Sequence, residues 1–95
     1  MVNQIVNNRA ARRFEMPADG GIATLSYAET ASTIDLMHTE VPSALEGRGL
    51  GSALARTALE YARDAGKRVI PTCPFVRRYI ASHPEWARIT DSAAQ

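Results

Sequence analysis

Gly47, Gly49 and Gly51 stand at alternate positions, after an extended stretch ending in Val41-Pro42 and before a helical apolar pattern. A helix opened by such a turn presents backbone N–H groups without intrahelical partners, and its dipole adds positive potential. Glycines let an anion approach that backbone closely, so the segment reads as a phosphate or pyrophosphate site. The competing reading is tight packing of helix against sheet with no ligand. A P-loop fits poorly because Gly51-Ser52 lacks the preceding lysine, and a dinucleotide-binding turn fits poorly because the glycine spacing differs. Two further places carry reactive groups. His38 and Glu40 lie two apart on one face of the strand leading into the loop, and either side chain can take up a proton. Cys73 precedes Pro74 at the start of a later helix, a position that lowers a thiol pKa and favours the thiolate. The plainer alternatives are a hydrogen-bonded structural histidine and a small buried hydrophobe.

These residues need a scaffold, and composition bounds it. The 95 residues suffice for one domain spanning 1–95, with a core from about 12 to 88. Lys and Arg total 11 against 10 Asp and Glu, and the net charge of +1 argues against an obligate nucleic-acid binder. One cysteine excludes an internal disulfide, and with two histidines it leaves too few ligands for the usual zinc site. No apolar run approaches the roughly 18 residues of a membrane span. The first residues lack the pattern of a signal peptide. The expected setting is cytoplasmic, with neither membrane nor nucleic acid as partner.

The first half reads as strands. Arg13 to Met16 alternates, Pro17 to Gly21 reads as a turn, and Ile22 to Glu29 turns Ala23, Leu25 and Tyr27 to one side. Thr33 to Val41 follows, with Ile34, Leu36, His38 and Glu40 on one face and Asp35, Met37, Thr39 and Val41 on the other. Leu50, Leu54, Ala58, Tyr61, Ala62 and Ala65 then recur at helical spacing up to Gly66, a natural C′ residue. Val69-Ile70 reads as a short buried strand, parallel to and beside the third strand because a helix crosses between them. Pro74 at N1 opens a second helix that runs to about Ser82, and His83-Pro84 stops it. Asp91 to Gln95 reads as a loose tail.

His38-Thr39-Glu40-Val41-Pro42, Glu46-Gly47-Arg48-Gly49-Leu50-Gly51, Cys73-Pro74-Phe75-Val76 and His83-Pro84-Glu85, in this order, resemble the motifs of small stand-alone GNAT-like N-acetyltransferases of the YjdJ type. The resemblance covers about Arg13 to Trp86. It implies a minimal GNAT-like α/β (α+β) fold, mostly antiparallel, in β-β-β-α-β-α order with helices on both faces. It also implies acetyl-CoA as cofactor, held by Val41, Gly47, Arg48, Gly49, Leu50, Gly51, Ser52, Cys73 and Arg77. Within that set Arg77, with Arg78, is expected to meet the 3′-phosphate. The implied activity is acetyl transfer to an amine, on a small molecule or a protein lysine, with Cys73, His38 and Glu40 as catalytic candidates. Tyr79, six residues beyond Cys73, is a candidate acid for the CoA sulfur, with plain packing as its alternative. The chain departs from larger GNAT proteins at Glu46, where they carry Gln or Arg, and in lacking their first helices. A non-catalytic acyl-CoA-binding or interaction module is the rival reading.

Overall fold

A computed structural model describes residues 4–91. Alternating apolar residues build the sheet. Phe14 and Met16 on β2 (Arg13–Ala18) and Ala23, Leu25 and Tyr27 on β3 (Gly21–Glu29) all point into one core. The two strands pair antiparallel through a two-residue Asp19-Gly20 turn, which is tighter than the turn expected from Pro17 onward. Pro17 is tolerated inside β2 because it pairs only with Ile22, beyond the reach of the neighbouring strand. That neighbour, β1 (Val6–Asn8), is absent from the sequence reading. Its three residues show no alternation; pairing with Arg13–Glu15 and the hydrogen bond that the Tyr27 hydroxyl donates to Asn7 Oδ1 at 2.6 Å hold it in place. The order is therefore β-β-β-β-α-β-α, in a five-stranded sheet ordered β1-β2-β3-β4-β5.

The strand that matters most is β4 (Thr33–Glu40). Tyr27 faces Leu36, yet Ser26 faces His38, so Met37 is an extra residue and forms a β-bulge. A bulge reverses the alternation beyond it. Ile34 and Leu36 point into the core as expected, but Thr39, opposite the buried Leu25, takes the next core-side position. His38 and Glu40 share a face with each other, opposite Ser26 and Thr24, but not with Ile34 and Leu36. Strict alternation gave the wrong partners because it allows no extra residue.

β5 (Arg68–Ile70) runs parallel to β4, as the crossover requires, but meets that strand only at Thr33–Asp35. The crossover is α1 (Leu50–Ala65), which Gly66 closes in a left-handed conformation with φ 71°. α2 (Pro74–Ser82) follows, with Pro74 at its start and His83 at its end. Short 3₁₀ segments occupy Ser43–Leu45 and Pro84–Ile89.

The mixed α+β class and the mostly antiparallel sheet are as expected; the placement of a helix on each face is not. Leu54, Ala58 and Leu59 of α1 and Val76 of α2 are all fully buried in the same cluster as Leu25 and Ile34. Both helices pack side by side on one face. The other face is left with Arg13, Glu15, Thr24, Ser26 and Asp35 half-buried and Ile22 and Met37 exposed. Its polar side chains offer no apolar stripe for a second helix layer. At the end of the described chain, the Asp91 amide donates to the Val69 carbonyl at 2.7 Å and Arg68 clamps the Arg88 and Thr90 carbonyls. The remainder of the expected tail lies outside the described residues.

Candidate active site

Past Asp35, β4 loses its β5 neighbour. The Leu36 carbonyl still accepts a bond from the Cys73 amide at 2.9 Å, but the two chain segments then part. A groove of about 520 Å³ opens at this divergence. His38, Thr39, Glu40 and Val41 of the β4 end line one side. The loop residues Leu45, Glu46, Gly47 and Gly49, then Leu50, Gly51 and Ser52 of α1 and Phe75 of α2, complete it. That size suits part of a ligand as large as a nucleotide-bearing coenzyme.

The glycines hold the loop for different reasons. Gly47 and Gly49 sit at φ 84° and 73°, where a side chain is strained, and Gly49 is the residue that caps α1. No side-chain hydrogen bond caps that helix, so its first-turn amides are not occupied by a neighbouring side chain. Gly51 has ordinary helical backbone; a Cβ there would stand 2.9 Å from the Phe75 ring. For Gly51 the packing reading applies, since its lack of a side chain lets α1 approach α2.

The sequence-derived residues separate into two groups. Val41, Gly47, Gly49, Leu50, Gly51 and Ser52 line the groove together with His38 and Glu40. Arg48, Cys73 and Arg77 do not line it. Arg48 is exposed at the loop tip. Arg77 is turned back, donating to the Pro71 and Thr72 carbonyls at 3.0 and 2.7 Å, and fastens the link between β5 and α2. Arg78 lies over the Phe75 ring, 6.0 Å from its centroid. Tyr79 lines a different groove, stacked on His83.

Cys73 is the N-cap residue of α2 and only 3% exposed. Its Sγ lies 3.4 Å from the Thr39 hydroxyl, and Thr39 reaches the groove. Burial works to raise the thiol pKa, but the Thr39 hydroxyl and the amides of Val76, Phe75 and Thr39 outweigh it and hold the thiol below its ordinary value. Thr39, Leu45 and Phe75 are groove residues that sequence reasoning did not single out. Thr39 sits inside the quoted strand motif, but only the bulge turns it toward Cys73. Among the described residues, no group of three His, Cys, Asp or Glu side chains could hold a metal ion, and no helix is long and apolar enough to cross a membrane.

The site is thus built where a strand pair diverges over a glycine-opened helix in an α+β protein. Residues 13–89 match the family model described as GCN5-related N-acetyl-transferase, and the chain belongs to that family. It is similar to the protein NATD1 of Gallus gallus, with 33% identity over 84 residues, covering 85% of this chain and 76% of that one. NATD1 of Homo sapiens is 32% identical, with 85% and 74% covered. The solution structure of a GCN5-like candidate N-acetyltransferase from Staphylococcus aureus shares the fold, with a TM-score of 0.71 over 96% of this chain and 91% of that one at 23% identity.

Proposed function

We propose that this protein is an acetyl-CoA-dependent N-acetyltransferase, of the small stand-alone YjdJ type, acting on an amine in a reducing, cytoplasmic setting. The supporting observation is the groove, where an unpaired β4 edge runs beside a helix start whose amides have no side-chain cap. The β4 backbone pairs with the pantetheine arm as an added strand, and the amides around Gly49 to Ser52 take the pyrophosphate. His38 or Glu40 removes a proton from the incoming ammonium. The neutral amine attacks the thioester carbonyl, the C–S bond breaks, and the leaving thiolate takes up a proton. The alternative route passes the acetyl group through Cys73, which requires Thr39 to give way, because the buried thiol stands behind it.

The rival, a non-catalytic acyl-CoA-binding module, is favoured by the open sheet face, which supplies no wall for an acceptor beside His38 and Glu40. Release of CoA from acetyl-CoA in the presence of a panel of amines distinguishes the two. Intact-protein mass spectrometry distinguishes the routes: a covalent route gives a hydroxylamine-labile acetyl adduct that Cys73→Ala loses together with turnover. Full transfer by Cys73→Ala leaves direct attack aided by His38 or Glu40.

A further inference from the structure

Among the described residues, Arg12 in the β1–β2 turn is the one non-glycine residue with a left-handed backbone, at φ 57°. Glycine or asparagine occupies that conformation at least cost, and a long side chain is strained in it. The turn is nonetheless firmly held. The Arg12 amide donates to the Arg9 carbonyl at 3.2 Å, the Ala11 amide donates to Asn8 Oδ1 at 3.1 Å, and the Arg12 carbonyl accepts from the Tyr27 amide at 2.9 Å. An arginine is thus kept where its backbone is unfavourable, beside a second arginine at position 9.

These two arginines, with Tyr27, Ala28 and Glu29 of β3, line a cleft of about 250 Å³. Glu29, its carboxylate, already pairs with Lys67 at 3.0 Å and accepts from the Tyr61 hydroxyl at 2.8 Å. Neither Arg9 nor Arg12 is in an ion pair among the described residues. Arg9 donates to the Tyr61 hydroxyl at 3.3 Å and lies 6.0 Å from that ring's centroid, so Tyr61 fixes one wall of the cleft. Two guanidiniums therefore stand at the cleft without a counter-charge, with most of their fork of N–H donors turned to no protein partner among the described residues.

Volume and charge together define what fits. The cleft has about half the volume of the glycine-loop groove, room for one tetrahedral oxoanion, and two guanidiniums balance a dianion. It is also remote from that groove. Glu29 ends β3, and Gly21 begins it against Pro42, where β4 gives way to the glycine loop. The strand between them runs about 27 Å.

We propose that the Arg9–Arg12 cleft binds a phosphomonoester dianion, carried by a small molecule or by a phosphorylated side chain of a partner protein. This goes beyond the acetyl-CoA reading and does not rest on it.

The test is a titration of the isotope-labelled full chain, followed by amide resonances, at constant ionic strength and about pH 7.5, where a phosphomonoester is mostly dianionic. The probes are inorganic phosphate, a phosphoserine peptide and the same peptide unphosphorylated. Saturable shifts are expected in residues 9–13 and 27–29 with the first two probes and not with the third. Tighter binding of the phosphopeptide than of phosphate marks a partner protein as the source; equal binding marks a small phosphate compound. Arg12→Asn removes the charge but suits the left-handed backbone, so it is expected to keep the thermal midpoint of wild type while binding both probes at least about tenfold more weakly. Arg9→Gln, which keeps an N–H for Tyr61, is expected to show the same loss. Shifts at residues 9–13 that are absent, that do not saturate, or that both variants retain at wild-type affinity overturn the proposal. A phosphate response confined to residues 47–52 assigns the anion to the α1 start and overturns it as well.

Discussion

Thr39 is the residue through which the groove reaches the buried thiol. Its hydroxyl is one of the groups that hold Cys73 below the ordinary thiol pKa. Thr39→Val keeps the shape and removes that hydroxyl, so the Cys73 pKa rises and less thiolate forms at a given pH. The pH profile of Cys73 alkylation in the folded protein is expected to move to higher pH in Thr39→Val and to stay near wild type in Thr39→Ser. An unmoved profile in Thr39→Val assigns the lowering to the α2 start alone. The sequence showed the thiol and its place before Pro74, because a helix start is written locally. It did not show Thr39, whose contact depends on how β4 registers against β3 across the sheet.

At the scale of elements, the Met37 bulge decides which side chains meet the groove. Without Met37, Leu36, His38, Thr39 and Glu40 would alternate regularly and keep the faces they now have. Deleting Met37 is therefore expected to leave a cooperatively folded protein. It shortens the strand by about 3.3 Å, draws the Pro42–Gly49 loop back, and removes the local twist that parts β4 from β5. Thermal unfolding should show one transition, while acetyl-CoA affinity falls at least about tenfold. Retained affinity would show that the bulge does not shape the groove. Strand β3, both helices, the Gly66 cap and the parallel β5 were legible in the sequence because periodicity and glycine or proline punctuation mark them. β1 was not, since Val6-Asn7-Asn8 has no alternation and gains its partners only by pairing with β2. Nor was the one-sided stacking of the helices, which depends on the sheet's open face being too polar to cover.

At the scale of the whole molecule, one polar knot ties sheet, helix and crossover together. Glu29 on β3 accepts a hydrogen bond from the Tyr61 hydroxyl of α1 at 2.8 Å and pairs with Lys67 at 3.0 Å. Burial works to raise the Glu29 pKa, but the bonds from Lys67 and Tyr61 outweigh it and hold the carboxyl below its ordinary value. A group depressed on folding contributes stability above its unfolded pKa and loses it as pH falls through the folded value. Glu29→Gln is expected to cost about 1–2 kcal/mol near neutral pH and to flatten the acid limb of the stability profile, as read by urea denaturation. An unchanged acid limb would remove Glu29 from the account. The knot lies at the end of the sheet away from the glycine loop, so it supports the frame without entering the groove. The proposed function rests on acetyl-CoA binding in the groove between the β4 end and the α1 start. Its most direct test is a titration of the isotope-labelled full chain with acetyl-CoA, followed by amide resonances. On the acetyl-CoA reading, the largest shifts are expected in His38–Ser52 and at Phe75, saturating with the ligand. No shifts, or shifts confined to the β1–β2 turn around Arg9 and Arg12, would contradict it.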